Sequence, residues 1–104
     1  MKYKLVFTVP LVDADRVRMA IGEAGAGKSG NYSFASFSVR GIGRFRPEEG
    51  ATPAIGEVGK MEEVEEERVE CQVDERYIEE VLAALRRTHP YEEIAYDVQV
   101  LEDM

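Results

Sequence analysis

The sequence lacks a pair of cysteines and any long apolar run, and it is short of basic residues. Its single cysteine, Cys71, excludes an internal disulfide framework and any zinc site built from several thiolates. No apolar run approaches the roughly 20 residues that a membrane-spanning helix needs. Lysine and arginine together number 13 against 21 aspartates and glutamates, which gives a formal net charge of -8. We therefore expect a cytoplasmic protein that does not cross a membrane.

The excess of acidic residues limits the partners that can be expected, and the length limits the number of domains. Nucleic-acid binding draws much of its affinity from basic side chains, so an acidic surface predicts no nucleic-acid partner. A chain of 104 residues buries roughly 65% of the surface that its unfolded form exposes. With 44% hydrophobic residues, the sequence predicts a single domain over residues 1–104, with a core that needs no disulfide or structural metal.

The first half of the chain alternates between strand and helix patterns. Apolar residues recur at every second position near the N-terminus, at Tyr3, Leu5, Phe7 and Val9. This period predicts a strand with one buried face. Asp13 is a suitable N-cap for a helix, which Gly25 ends. The buried stripe of that helix is Val17, Ala20, Ile21 and Ala24.

A glycine-rich loop precedes a second region of strand pattern. Alternation returns from Tyr32, and Gly41 and Gly43 predict a tight hairpin turn there. Residues 47–60 hold two prolines and few large apolar groups, which predicts a long loop.

The second half repeats the order of strand, helix and strand. The acidic stretch Glu62 to Glu70 leads into alternating apolar positions, which predicts a strand with an acidic outer face. Asp74 is a suitable cap for a second helix, which ends at His89. The buried stripe of this helix is Ile78, Val81, Leu82 and Leu85. A last alternating segment from Ile94 to Val100 predicts the final strand.

Two such halves favour an α+β fold: a ferredoxin-like (split βαβ) antiparallel sheet with two helices on one face. Two helices are too few to cover both faces of a parallel sheet. The second face of the sheet then lacks helical cover. We expect that face and the open sheet edges to favour oligomerisation.

Residues 22–29 match the phosphate-loop pattern G-x-x-x-x-G-K-[ST] letter for letter. Phosphate binding by that motif requires a strand before it and a helix after it. Here an amphipathic helix precedes the motif and a strand pattern follows. We therefore interpret the segment as the end of a helix and a turn of small residues, although consecutive glycine N–H groups can also bind an anion.

His89, Glu92 and Glu93 form a candidate metal site just after the second helix. Imidazole and carboxylate are ligands for first-row metals, and a divalent metal is the one cofactor that the sequence suggests. Three copies of the chain would be needed to complete the ligand set. An alternative is that His89 acts as a general base, oriented by Glu92 or Glu93. A purely structural role at a helix end is the third possibility.

Four residues are candidates for binding a small ligand. Gly30, Asn31 and Tyr32 lie in a loop that could hold a small anion, although this sequence is also typical of an ordinary turn. Tyr91 could line a pocket with its polar tip, or serve only in packing.

Three separated blocks of the sequence carry a resemblance to a known family. They are Gly25-Ala26-Gly27 with Gly30-Asn31-Tyr32-Ser33; Ser36-Phe37 through Gly41, Gly43, Phe45 and Pro47 to Gly59; and His89-Pro90-Tyr91-Glu92-Glu93 with Ala95-Tyr96-Asp97. Their order and spacing resemble the inserted domain of the Nif-three-like proteins, known in bacteria as the YqfO group. The resemblance spans nearly all of residues 3–101.

The resemblance implies a fold and an assembly. The insert is a small ferredoxin-like domain similar to the CutA and PII trimers, so a homo-oligomer is expected, with a trimer favoured. This chain would be a free-standing version of the insert. The flanking halves that hold the family's two-metal site have no counterpart in the sequence, so that site is not carried over. The sequence also has Phe34-Ala35 where the family commonly has a His-Cys pair.

These features lead to one main hypothesis and two alternatives. The main one is a non-enzymatic oligomeric module, open to a regulatory role, that binds a small ligand or a divalent metal at subunit boundaries. The first alternative is a small metal-dependent or histidine-dependent hydrolase. The second is an interaction partner of a Nif-three-like metal protein.

Overall fold

The computed structural model describes residues 1–103, which form a four-stranded antiparallel sheet and two helices. In chain order the elements are β1 (Lys2–Pro10), α1 (Leu11–Ala24), β2 (Phe37–Phe45), β3 (Glu62–Asp74), a 3-10 turn (Glu75–Tyr77), α2 (Ile78–Thr88) and β4 (Tyr96–Leu101). The strand order across the sheet is β2-β3-β1-β4, and each neighbouring pair is antiparallel. This is the ferredoxin-like arrangement that the sequence predicts.

The hydrophobic core lies between one face of the sheet and the two helices. Alternate residues of the central strands point into it, and the register sets Leu5 beside Cys71 and Phe7 beside Val69. The helices cover this face with Ala14, Val17, Ile21, Val81, Ala84 and Leu85, each no more than 2% exposed. The alternate apolar residues of the strands and the apolar stripes of the helices therefore pack into one core.

The other face of the sheet has no helix on it, as the sequence predicts. Charged residues on this face pair with one another, both between β1 and β3 and along β3. Lys4 Nζ lies 2.6 Å from Glu70 Oε1, and Arg68 Nε lies 3.4 Å from Glu70 Oε2. These side chains are 25% to 55% exposed, and solvent screening leaves each pair a small contribution to stability.

The sheet has two open edges, β2 and β4, and their side chains differ in charge. β2 carries Arg40 and Arg44, whereas β4 carries Asp97 and is followed by two acidic residues. Both edges expose large apolar side chains, namely Phe37, Val39, Ile42, Val98 and Val100. Exposed edge strands of this kind are templates for pairing with another chain.

The hairpin of β2 and β3 extends beyond the rest of the sheet. β3 pairs with β1 only from Glu66 onward, while its first four residues pair with the end of β2. The 46–61 segment joins the two strands at the far end. The hairpin therefore carries this long loop past the end of β1, toward the segment that follows α2.

The predicted turn at Gly41 and Gly43 is wrong. β2 runs without a break through both glycines, which pair with Glu66 and Val64 of β3. Neither glycine has a positive φ. Gly43 is instead required because a Cβ at this position would overlap Oε1 of Glu66. The hairpin is formed by β2 and β3, with the long loop between them.

Two further boundaries differ from the sequence interpretation. α1 begins at Leu11, so Asp13 lies within its first turn and accepts a hydrogen bond from Arg16 rather than capping the helix. Tyr32 belongs to a turn closed by backbone bonds with Ser29, not to a strand. Asp74 does cap as predicted: its carboxylate accepts the Arg76 N–H at 3.1 Å.

The phosphate-loop pattern lies where the sequence interpretation puts it, at the end of α1 and in the following turn. Gly25 has a φ of 121°, which ends the helix. The N–H of Gly27 donates to the carbonyl of Gln72 at 2.8 Å, so this glycine docks the turn onto β3. A turn and β2 follow, where the phosphate-binding motif requires a helix.

Substitutions at the two glycines of β2 should distinguish a glycine that makes room for a neighbouring side chain from one that does not. We expect Gly43→Ala to lower the free energy of unfolding by about 1–3 kcal/mol, because the new methyl group would displace the buried Glu66 carboxylate. Gly41→Ala meets no atom within 4 Å and should be neutral or stabilising by up to about 1 kcal/mol. Urea unfolding of both variants measures the difference. Equal effects at both positions would contradict this account of Gly43.

Candidate functional site

A pocket of about 290 Å³ lies between the β2–β3 loop and the segment after α2. We call it the loop pocket. Its apolar walls are formed by Phe45, Pro47, Ala51, Pro53, Ala54, Ile55 and Tyr91. Three carboxylates, Glu48, Glu92 and Glu93, and one guanidinium, Arg46, complete the lining. Apolar walls with a few polar groups are typical of sites for small molecules.

Direct contacts join the two segments that form the loop pocket. The backbone N–H of Thr52 donates to both carboxylate oxygens of Glu92, each at 3.1 Å. The rings of Phe45 and Tyr91 pack edge to face, with their centroids 5.7 Å apart. At the base of the loop, the N–H of Gly59 donates to the carbonyl of Pro47 at 2.8 Å. The long loop is thereby held against the 91–93 segment.

The loop pocket is electronegative. Of its four charged side chains, Arg46 donates to Glu48 at 2.6 Å, which offsets one carboxylate. Glu92 accepts hydrogen bonds from the amide of Thr52 and has no basic partner among the residues that the structure describes. Glu93 adds a further carboxylate at the rim. A ligand with a positive charge or several hydrogen-bond donors would therefore be favoured over an anion.

Tyr91 links the loop pocket to the sheet. Its hydroxyl donates to Oε2 of Glu66 at 3.0 Å, and Glu66 is only 6% exposed. Burial, together with the Glu66 carboxylate, raises the pKa of the Tyr91 phenol. The phenol therefore stays protonated at neutral pH and acts as a donor.

His89 fastens the segment after α2 to the end of β1. It is 6% exposed. Its Nδ1 accepts the N–H of Tyr91 at 3.1 Å, so its Nε2 carries the proton and donates to the carbonyl of Thr8 at 2.8 Å. Burial lowers the pKa of the His89 imidazole, although the Thr8 carbonyl and nearby carboxylates oppose the shift. The ring is thus neutral, with both nitrogens engaged.

The structure brings some of the predicted site residues together and leaves others apart. Tyr91, Glu92 and Glu93 all line the loop pocket, and His89 packs against Tyr91 with ring centroids 5.1 Å apart. Because both nitrogens of His89 are engaged, a single chain offers no imidazole lone pair to a metal or a substrate proton. Within residues 1–103, no three His, Cys, Asp or Glu side chains are grouped to hold a metal ion. Metal binding by His89, Glu92 and Glu93 stays a prediction.

The other predicted ligand residues lie in a different place. Gly30, Asn31 and Tyr32 form the exposed turn after α1, and none of them lines the loop pocket. Tyr32 is 79% exposed. The backbone groups of Ser29 and Tyr32 bond to each other at 2.9 and 3.0 Å, which is the geometry of an ordinary turn. An anion site at this turn stays a prediction.

Sequence reasoning missed three residues of the site: Phe45, Thr52 and Glu66. The pattern places Phe45 in the predicted hairpin and Thr52 in the predicted long loop, and it gives neither a role in a site. The proline-rich composition of that loop was the one available signal. Glu66 was part of an acidic stretch that had been interpreted as a solvated face, yet it is buried beneath Tyr91.

The chain is similar to one segment of longer bacterial proteins. It is 50% identical over 99 residues to the "GTP cyclohydrolase 1 type 2 homolog" of Halalkalibacterium halodurans, covering 95% of this chain and 27% of that protein. The protein of the same name from Mycobacterium tuberculosis is 51% identical over 98 residues, covering 94% and 26%. The chain therefore spans about a quarter of the length of these relatives. No protein-family model matches it.

Solved structures agree with this similarity. A Bacillus cereus protein related to NIF3 superposes with a TM-score of 0.84 at 43% identity, covering 98% of this chain and 26% of that one. The predicted resemblance to the Nif-three-like proteins is thus confirmed over nearly the whole chain.

Two more distant neighbours share the fold alone. CutA from Archaeoglobus fulgidus, titled a periplasmic divalent cation tolerance protein, superposes with a TM-score of 0.72 at 18% identity and covers 100% of this chain and 87% of that one. The PII-type protein GlnK of Bacillus subtilis, solved with ATP, gives 0.62 at 10% identity, covering 93% and 78%. The predicted similarity of fold to CutA and PII is confirmed.

Within the described part of the chain, neither helix has the length and apolar character needed to traverse a lipid bilayer.

The ionisation of His89 should make the fold less stable as the pH falls. Because the pKa of the folded state lies below the unfolded value of about 6.5, the unfolded chain binds the proton first. Stability should therefore be fully present above about pH 6.5 and decline below it. Since the chain has one histidine, an NMR titration of its ring protons gives the folded-state pKa directly. In His89→Gln the decline between pH 7.5 and 5.5 should be smaller. A folded-state pKa above 6.5 would contradict the assignment of a buried neutral ring.

Proposed function

We propose that this chain, as a counterpart of a quarter-length segment of NIF3-related proteins, is an oligomeric module that binds a small ligand in the loop pocket. The loop pocket is the observation that carries the proposal. Its walls are apolar, its rim is acidic, and direct hydrogen bonds hold its two sides together. In this proposal the module binds its ligand and catalyses no reaction.

The chemistry of the pocket suggests the class of ligand. Phe45, Ile55 and Tyr91 offer an apolar surface for a flat or branched hydrocarbon group. Glu93 at the rim offers a carboxylate to a positively charged group. A small molecule with an apolar body and an ammonium group satisfies both features. A nucleoside triphosphate would bring several negative charges to the same carboxylates.

The two open edges of the sheet support self-association. β2 is basic and β4 is acidic, and each exposes apolar side chains. Pairing β2 of one copy with β4 of the next would join opposite charges and bury apolar surface. Such a contact is head-to-tail, and successive copies close into a ring when the rotation between neighbouring copies allows it. A trimer is the ring expected from the resemblance to CutA and PII.

The loop pocket lies next to this proposed contact. Phe45 ends β2, and the pocket-forming loop follows directly. A neighbouring copy that pairs along β2 would approach the pocket from the side. The ligand would then bind at the boundary between subunits, where one loop can respond to both the ligand and the neighbouring copy.

The geometry favours this proposal over the two alternatives. A hydrolase that uses His89 as its base would need a free imidazole nitrogen, and both nitrogens bond to backbone groups. A divalent metal on Glu92 and Glu93 would require further ligands from another copy. The words "GTP cyclohydrolase" belong to relatives of which this chain covers about a quarter. We do not carry that activity over to this chain.

The charge of the ligand can be tested with three matched probes. We expect benzylamine to shift the NMR signals of Phe45, Ile55 and Tyr91, with benzyl alcohol weaker and benzoate weakest. One carboxylate at the solvent-exposed rim contributes about 1 kcal/mol, or roughly a fivefold difference in Kd. Glu93→Gln should reduce the preference for benzylamine by about that factor, and Glu79→Gln, on the exposed face of α2 away from the pocket, should not. Benzoate binding as tightly as benzylamine would contradict the proposed ligand class.

The proposed edge contact can be tested through the mass of the assembly. Val100 lies on the β4 edge and Val12 lies on α1, and both are exposed, at 65% and 93%. Val100→Lys should shift the protein toward the monomer, because it buries a charge in the contact and disrupts pairing. Val12→Lys adds the same charge away from both edges and should leave the mass unchanged. Light scattering after gel filtration measures both variants. A Val100→Lys protein with the wild-type oligomeric mass would exclude β4 as a contact.

A further inference from the structure

A shallow trough lies over the end of β2 on the face of the sheet that has no helix. Its volume is about 190 Å³. The floor is the backbone at Gly41 and Gly43, where two successive outward positions lack a side chain. Glu66, Arg68 and Thr8 stand along its side. We call it the glycine trough.

Strand register fixes the order of these groups. Gly41 pairs with Glu66, and Thr8 and Val39 both pair with Arg68. Glu66 and Arg68 are two residues apart on β3, so both point to the same face, about 6.6 Å apart along the strand. The Glu66 carboxylate leans away from Arg68, over Gly43, so the trough has a carboxylate at one end and a guanidinium at the other.

Glu66 is a buried carboxylate that lacks a cationic partner. It is 6% exposed, and within residues 1–103 no lysine, arginine or histidine nitrogen lies within 4 Å of its oxygens. Oε2 accepts the Tyr91 hydroxyl, while Oε1 lies over Gly43. A buried charge with one neutral donor is costly unless a counter-charge binds it. The open side of Oε1 faces the trough.

Arg68 is positioned to supply the opposite charge to a ligand. Its side chain is 55% exposed, and its Nε lies 3.4 Å from Glu70. An exposed pair of that length is weak, so the guanidinium can turn toward the trough at little cost. The hydroxyl of Thr8, in the same row, adds a donor and an acceptor. Arg40 alternates to the opposite face of β2, so Arg68 is the basic side chain on this face of the trough.

We propose that the glycine trough binds a small zwitterion of the α-amino acid class. The ammonium group would bind Oε1 of Glu66, and the carboxylate would bind Arg68 and Thr8. A lone cation would leave Arg68 without a partner, and a lone anion would face Glu66, whereas a molecule that carries both charges satisfies both. The trough holds roughly the volume of six water molecules, enough for the smallest amino acids. The proposal does not depend on the function proposed for the loop pocket.

The charge requirement is tested by an NMR titration with matched probes. L-alanine carries both charges, ethylamine carries only the positive one and propionate only the negative one. We expect L-alanine to shift the amide signals of Gly41, Gly43 and Arg68. Ethylamine and propionate should each bind at least about tenfold more weakly, because each leaves one charged group of the site without its partner. Equal binding of L-alanine and ethylamine, or no shifts with L-alanine, would overturn the proposal.

Two variants and a control test the location. Gly41→Val fills the trough, meets no atom within 4 Å at its Cβ, and places a β-branched residue in a strand, so the fold should be kept. It should abolish L-alanine binding. Glu66→Gln keeps the shape and removes the charge, and should weaken binding at least about tenfold. Ser38→Val, on the opposite face of β2, should bind as the wild type does.

The outcomes of these variants separate the zwitterion from other occupants. L-alanine binding that survives Gly41→Val places the ligand elsewhere and overturns the proposal. A change in oligomeric mass on Gly41→Val would show that a second copy of the chain occupies the trough, which also overturns it. Loss of binding in Gly41→Val and Glu66→Gln, with the mass and the Ser38→Val control unchanged, supports it.

Discussion

Two helices can cover only one face of a four-stranded sheet, and this limit determines where the chain can interact with anything else. α1 and α2 bury the face that carries Leu5, Phe7 and Val69. The opposite face and both edges are left to solvent. In a chain of this size the covered face supplies nearly all of the apolar burial on which folding depends. Every feature that we connect with function lies outside it.

The core could be predicted from the sequence because its signal is local. A strand buried on one face must alternate, and a helix packed on a sheet must repeat its apolar residues every three or four positions. The glycines of β2 show where this reasoning fails. Gly41 and Gly43 indicated a turn, since turns are where glycine is most often required. The role of Gly43 depends on Glu66, more than 20 residues later, and only the pairing of β2 with β3 reveals it.

Only part of the candidate site could be predicted from the sequence, because its long-range contacts are not encoded locally. Tyr91, Glu92 and Glu93 stood out because aromatic and acidic residues cluster after a helix end, and they do share a pocket. His89 stood out as a ligand because its partners cannot be seen in the sequence. One is the carbonyl of Thr8, 81 residues away, and the other is a neighbouring backbone N–H. The sequence does not show which backbone groups a side chain contacts. A histidine that is hydrogen-bonded to the backbone therefore cannot be distinguished from a free imidazole by sequence alone.

Tyr91 lies between the two spaces that we assign to ligands. Its ring is a wall of the loop pocket, and its hydroxyl holds the carboxylate that borders the glycine trough. A buried acceptor that loses its donor costs more free energy than the contact itself contributed. The hydroxyl can therefore leave Glu66 only when another donor takes its place. The ammonium group proposed for the trough would bind Oε1 and leave the bond from Tyr91 to Oε2 in place. The two spaces thus share one hydrogen bond, which holds the Tyr91 wall of the loop pocket and the Glu66 side of the trough in a fixed relation.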